Sequence, residues 1–368
     1  MKSLLNSKWG FLLPFTLPLA TVLGALAGGY FNFTTVVIVF IIIPLVDSWI
    51  GSGNYNYTES EIKSRDKNLF FDNVLVLWVL VQTLFLFWSL YHFSNVSEGL
   101  PQLGFVLSVG LVTGGIGITV AHELGHKISP FKRVLSQFLL MQVFYMHFYV
   151  EHNKGHHVLV GTPEDPATSR ENENFYKFWF RSVFMGYLHA WKLEYQSLKR
   201  RRKSVISFSN KMIWYMVLPV IFGAGAIFIV HIIKGNSISS FQLVNYGSEM
   251  VFLLVQGIIA FTLLELVNYV EHYGLTRRKT GDNRYEQVSD FHSWNSDYQV
   301  SNLFLFQLQL HSDHHKYAIK KYQTLVSLED SPQLPYGYPT MILMAMVPLL
   351  WYKKVHPILL HWKKEVQG

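Results

Sequence analysis

The sequence predicts an all-α polytopic membrane protein, with six transmembrane helices and a cytoplasmic helical cap that carries a histidine-rich site for two metal ions. Three observations lead there. Half of the residues are hydrophobic and only 15% are charged, against about 25% charged in soluble domains. Six apolar stretches, at about 11–31, 33–50, 73–93, 103–124, 212–233 and 250–270, have the length of roughly 20 residues that a membrane helix needs. Nine of the 16 histidines gather in four short clusters.

The first stretch follows Lys2 and Lys8 but is too long for a cleavable signal and lacks a small-residue cleavage site, so it reads as a span. A very short turn around Asn32 makes the first two spans a tight hairpin. Pro14, Pro18 and Pro44 act as kinks inside a bundle. Orientation follows from Lys and Arg, which favour the cytoplasmic side. With the N-terminus inside, the outer loops hold one of the 31 cations, Lys234. Both chain ends then face the cytoplasm. The run Lys199-Arg-Arg-Arg-Lys203 before span five reads as an anchor to anionic lipid. The net charge of +7 therefore needs no nucleic-acid partner.

Three further apolar stretches, at 134–150, 303–310 and 341–352, are too short or too placed between histidine clusters to cross. They read as buried or interfacial helices. There is no internal repeat, low-complexity segment or linker, so residues 1–368 form one integral-membrane domain.

The clusters are His122 and His126; His152, His156 and His157; His272 alone; and His311, His314 and His315. The topology brings all four to the cytoplasmic face, although nothing in the span pattern required it. Histidines at i and i+4 share a helix face, so each multi-histidine cluster can aim two or three imidazoles at one point. Nine imidazoles are too many for one ion and suit two with four or five nitrogens each. With no cysteine in the chain, thiolate zinc sites and iron–sulfur clusters are excluded. Imidazole ligands need their outer nitrogen oriented. Glu123, Glu151, Asp165, Glu265, Glu271 and Asp313 are placed to do this, with capping or surface charge as the plain alternative. Outside the clusters, His292 is the best candidate for an auxiliary role, and His147 reads as packing.

His122-Glu-Leu-Gly-His126 also fits the zinc-protease pattern. That reading needs three ligands and an open position and leaves six clustered histidines unexplained. A cysteine-free, all-histidine site at a membrane face fits redox iron better: two irons that bind dioxygen and draw an apolar substrate from the bilayer. A metal transporter would place its ligands near mid-membrane or in a tail.

These residues resemble the motifs of the membrane-bound alkane 1-monooxygenases (alkane omega-hydroxylases), within the integral-membrane fatty acid desaturase and hydroxylase superfamily. The resemblance is carried by His122-Glu-Leu-Gly-His126-Lys127, Glu151-His-Asn-Lys-Gly-His-His157 and Asn268-Tyr-Val-Glu-His-Tyr-Gly-Leu275. It continues in Thr162-Pro-Glu-Asp-Pro-Ala-Thr-Ser-Arg170, His292-Ser-Trp-Asn295, Leu308-Gln-Leu-His-Ser-Asp-His-His315 and Leu334-Pro-Tyr-Gly-Tyr-Pro339. The resemblance implies a non-haem di-iron centre held by the nine histidines. It implies hydroxylation of the terminal methyl of medium- or long-chain alkanes by dioxygen, in a bacterial cytoplasmic (inner) membrane. It implies electrons from rubredoxin, reduced in turn by an NAD(P)H-dependent rubredoxin reductase. The basic cytoplasmic face suits an acidic carrier. No rubredoxin domain is fused here, since that would need cysteines. A fatty acid or other lipid hydroxylase or desaturase is the alternative, and the Asn268-to-Leu275 stretch argues against it. Leu310, Lys316-Tyr-Ala-Ile-Lys-Lys321 and Tyr298 depart from the usual pattern, and no ligand position is lost. Span two, from Val36 to Pro44, has no Trp in mid-helix. If it lines the substrate channel it leaves room for longer chains; a lipid-facing stretch would look the same.

Overall fold

The computed structural model describes residues 7–53, 56–282 and 284–367. Lys2 and both chain ends, which belong to the charge pattern above, lie outside the described residues. Among the described residues, six helices are long and apolar enough to cross a membrane: Lys8–Ala27, Gly29–Ile50, Leu69–Phe93, Leu100–Gly125, Lys211–Ile233 and Leu243–His272. They coincide with the six predicted stretches. The first hairpin, however, turns at Gly28 and not at Asn32. Gly28 and Gly29 have φ of 77° and 55°, where a Cβ would be strained. Asn32 already lies beyond the turn, its Nδ2 donating to the Gly29 carbonyl at 2.8 Å.

The fourth span is the central post. Its most apolar stretch is 83% buried, against 17% for the second span. Small residues let it approach the sixth span closely. A Cβ on Gly110 would sit 2.5 Å from Ile259 Cγ2, and one on Gly114 would sit 2.5 Å from Ala260 Cα. Buried amides fasten the bundle, because lipid offers polar groups no alternative partner. Gln82 accepts from Trp78 Nε1 at 2.9 Å and donates to Gln142 Oε1 at 3.1 Å. Gln256 donates to the Gln142 carbonyl at 2.9 Å and accepts from Thr113 at 2.8 Å. Spans three, four and six are thereby tied to the cap helix Pro130–Gln142.

Residues 134–150, predicted as one helix, complete the helix Pro130–Gln142 and then break at Phe144, whose φ is 57°. Residues 303–310 finish the helix Gln299–Phe304 and turn sharply toward the fourth cluster. In that turn Phe306 and Gln307 hold φ of 48° and 58°, a conformation that costs about 1–2 kcal/mol per residue. Packing of Phe306 against Phe11 and Tyr322 holds it. Residues 341–352 are not one helix. They belong to Tyr338–Ala345 and a second helix starting at Pro348, bent by 120° from the first, because proline can begin a helix but not continue one. Asp47 at the end of span two accepts from the Val300 and Ser301 amides at 2.9 and 3.1 Å, pinning cap to bundle. The all-helical expectation holds, and among the described residues the strands are a small hairpin of Lys279–Gly281 and Arg284–Tyr285.

Candidate metal centre

All nine clustered histidines meet at one end of the bundle, in two groups. His122, His126, His152, His157 and His314 form one, and His156, His272, His311 and His315 the other. Within each group the donor nitrogens lie within 4.8 Å of one another. His122 and His126 come from the end of span four, where His126 is the C-cap, and His272 from the end of span six. The remaining members come from the cap helices around Phe148–Leu159 and from His311–Lys316.

The second and fourth clusters do not each aim at one point. His152 to His156 forms a π-turn, which widens the helix so that i and i+5 coincide. His157 therefore joins His152, with Nε2 atoms 3.0 Å apart, and His156 faces the other group. In the fourth cluster His311 and His315 keep the i, i+4 relation of an α-helix, and His314 turns to the five-imidazole group. Each His-His pair thus straddles both groups.

The nitrogens are spaced as donors around an ion would be. Nε2 of His126 lies 3.3 Å from that of His122, 3.1 Å from that of His152 and 3.2 Å from that of His157. In the other group, His156 and His315 are 3.2 Å apart and His272 and His311 are 3.3 Å apart. A metal–imidazole bond of about 2.1 Å places adjacent donors about 3.0–3.4 Å apart. Burial, and then the neighbouring imidazoles, push His126, His152, His157, His311, His314 and His315 well below the ordinary histidine value. They are held neutral, the form in which imidazole binds a metal. The residues present therefore fit metal ions.

The carboxylates have different duties. Asp165 Oδ2 lies 2.9 Å from His156 Nδ1, the outer nitrogen, and also accepts from Thr168. Burial opposes charge on both partners, but Asp165, together with Glu151 and Glu265, holds His156 above its ordinary value. Asp165→Asn keeps the shape and removes the charge. It is expected to weaken metal binding by about 10–100-fold, the usual effect of losing such a partner, as read by competition with a chelator. Glu123 pairs with Lys127 and accepts from the Tyr322 amide. Glu151 meets His189 Nδ1 at 3.3 Å. Glu265 accepts from Tyr145 at 2.9 Å. Asp313 pairs with Lys320 and accepts from the Val326 amide. Glu271 lies between Tyr338 and His311. His147 packs between Tyr145 and Tyr187, and burial lowers it to about 4.

His292 bonds to Ser289 and Glu286 instead of joining the nine. The segment it opens is nonetheless structural support for the site. Trp294 Nε1 donates to the Tyr273 carbonyl at 2.9 Å, beside His272. Asn295 Oδ1 accepts from the Ser312 amide at 2.8 Å, and Ser312 donates to the Ser293 carbonyl at 2.7 Å. The segment thereby holds both the end of span six and the helix of the fourth cluster. The departures fit in as well. Leu310 is fully buried, Lys320 pairs with Asp313, Lys316 with Asp290 and Lys321 with Asp66. Tyr298 donates to the Pro335 carbonyl at 2.9 Å.

An apolar cavity adjoins the centre. Its walls include Val39, Phe40 and Ile43 of span two, Gly115 and Ile118 of span four, and Leu263, Leu264 and Val267 of span six. His122, His152, His311 and Glu271 line it as well. Span two thus has two faces: these three residues face the cavity, while Val37, Ile41 and Ile42 are exposed where lipid would lie.

The family model for fatty acid desaturases matches residues 98–345. Alkane 1-monooxygenase 2 of Pseudomonas aeruginosa is 40% identical over 87% of this chain and 82% of its own length. Alkane 1-monooxygenase 2 of Alcanivorax borkumensis is 36% identical over 95% of this chain and 88% of its own length. The hydroxylase component of xylene/toluene monooxygenase from Pseudomonas putida is 26% identical over 73% of this chain. The chain belongs to the fatty acid desaturase family and, within it, to the alkane 1-monooxygenases.

Proposed function

We propose that this chain hydroxylates the terminal methyl of medium- and long-chain n-alkanes, giving 1-alkanols. The observation that carries the reading is the apolar cavity whose wall contains His122, His152 and His311. An alkane offers no polar handle, so its recognition rests on apolar surface and shape. The cavity wall also keeps water from the reacting methyl.

The overall reaction takes one alkane, one O2, two electrons and two protons to one alkanol and one water. Two irons are the proposed cofactors, held by His122, His126, His152, His157 and His314 and by His156, His272, His311 and His315. When bound, they supply the activation of dioxygen that breaking an unactivated C–H bond requires. The chain's own groups do the rest. The imidazoles hold the ions, Asp165 orients His156, and the aliphatic walls present the methyl end of the substrate to the histidine face.

The electrons come from rubredoxin and, through it, an NAD(P)H-dependent reductase. The site and both chain ends face the cytoplasm of a bacterial inner membrane. All Lys and Arg other than Lys234 lie on that side in this topology, which favours an acidic carrier and a salt-sensitive association. The test uses purified chain in lipid vesicles with iron, rubredoxin, its reductase, NADH and an alkane series from hexane to eicosane. Formation of the 1-alkanol is expected. Absence of alkanol across the whole series with iron bound would refute the reading.

A further inference from the structure

Away from the histidines, a second hollow lies between the helix Phe175–Arg200 and the first turns of span five. The helix contributes Val183, Phe184 and Tyr187 to it, and span five contributes Tyr215, Met216 and Pro219. It holds about 510 Å³ of space, whereas voids in a packed interior seldom exceed one water. None of its lining residues lines the substrate cavity. Phe184 is 59% exposed and Met216 53%, so the groove opens toward the bilayer.

One end of this groove is basic. Lys211 begins span five, one turn before Tyr215. Its Nζ sits 5.6 Å from the centre of the Tyr149 ring, and Arg133 hydrogen-bonds to the same tyrosine. Tyr215 itself donates to Gln137 Oε1 at 2.7 Å, on the cap helix that carries Arg133. Arg133, Lys154 and Arg201 are all near enough to act on the charge of Lys211, with one carboxylate, Glu194, among the four cations. Glu194 does not satisfy them. Lys154 Nζ is 3.6 Å and Arg201 Nη2 is 3.4 Å from its oxygens, beyond the roughly 2.7–2.9 Å of a tight charge-assisted bond. Both heads remain open to solvent, at 41% and 46% exposure. Four separate segments thus bring positive charge to one spot, and their mutual repulsion is relieved when an anion joins them.

We propose that the groove binds one anionic phospholipid from the leaflet at the Lys211 end of span five. An acyl chain lies along Phe184, Tyr187, Tyr215 and Pro219, and the phosphate sits among Arg133, Lys154, Arg201 and Lys211. Basic pockets between membrane helices suit such headgroups, and the guanidinium fork matches phosphate oxygens. A zwitterionic lipid would bring its own cation into a group that already has an excess. A free phosphate would use the cations and leave the apolar groove empty. Arg201 belongs to the basic run Lys199–Lys203, so one member of that run acquires a defined partner. The lipid would join cap segments to span five and, by binding the folded form, stabilise it.

The test titrates the full chain, stripped of lipid in a nonionic detergent, with dioleoyl phosphatidylglycerol. Dioleoyl phosphatidylcholine and inorganic phosphate form separate arms. Native mass spectrometry counts the retained lipid, and the thermal unfolding midpoint is followed in parallel. One phosphatidylglycerol per chain is expected, held more tightly than phosphatidylcholine and raising the midpoint. R133Q/K211Q is expected to weaken phosphatidylglycerol by about 30-fold and erase the preference, since each cation near a lipid surface contributes about 5-fold. V183W fills the groove and spares every cation, and it is expected to weaken phosphatidylglycerol as well. Equal binding of the two lipids by the wild type would overturn the proposal, as would undiminished binding in either variant. The same rise in midpoint from inorganic phosphate alone would also overturn it, because the groove would then take no part. If R133Q/K211Q does not insert, R201Q replaces it, with a loss of about 5-fold expected.

Discussion

His272→Ala is expected to lower 1-alkanol formation by more than about 100-fold, since losing only an outer partner already costs about 10–100-fold in metal binding or activity. His272 is fully buried, and its ring lies against His156, His311 and His315. It is the sole histidine of its cluster, so no neighbour along the chain can take its place. It sits at the very end of the sixth span, where helix and cap meet, and the backbone cannot bring another donor there. Metal analysis separates a ligand role from a packing role. The five-imidazole group has no member from span six, so it is expected to keep its ion. Metal content should then fall from two ions per chain to one. His147→Ala is the control: it also removes a buried imidazole, but one packed among tyrosines. That variant is expected to keep both ions. If His272→Ala retained substantial turnover and two ions, its ligand role would be wrong.

The six spans and their meeting point were readable because both are properties of composition along the chain. Twenty apolar residues have few options other than a membrane helix, and a histidine at each helix end needs little geometry to be noticed. What could not be read depends on departures from the regular helix. The i, i+4 rule pairs His152 with His156; the π-turn there pairs His152 with His157 instead, and so decides which ion each would serve. The residue pattern holds no signal for that extra residue per turn. Likewise, Glu271 and Asp165 look alike in sequence as acids near histidines. Only the fold reveals that one meets an outer nitrogen and the other an inner one.

The supporting polar groups were the hardest to find. Gln82, Gln142 and Gln256 are scattered singly among apolar residues, and their value appears only once three helices bring them together. Asp47 reads as the polar end of a span, yet it accepts two amides from a helix some 250 residues later. The segment His292-Ser-Trp-Asn295 did carry a signal, as a resemblance, but it pointed to the histidine. The structural work is done by Trp294 and Asn295, through bonds to Tyr273 and Ser312.

Gly115→Phe is expected to cut the range of accepted alkanes from its long end. Span four has glycines at 104, 110, 114, 115, 117 and 125, and packing accounts for all but one. A Cβ on Gly110, Gly114 or Gly117 would collide with Ile259, Ala260 or Gln82, whereas one on Gly115 meets nothing within 4 Å. Gly115 lines the apolar cavity, so its missing side chain is open space for substrate. It lies seven residues before His122, which at 1.5 Å per residue is roughly 10 Å along the helix from the centre. Extended hexane is shorter than that span, and hexadecane is longer. A phenyl ring at 115 would therefore leave room for hexane and obstruct hexadecane. Forcing a chain past it costs about 1–3 kcal/mol, the usual range for overpacking, or about 5- to 150-fold in kcat/KM. The hexane-to-hexadecane ratio of kcat/KM is the measurement, because a general loss of folded protein or of metal would lower both and leave the ratio fixed. An unchanged ratio with both ions bound would mean that the alkane does not pass Gly115, and that the cavity between spans two, four and six is not its path.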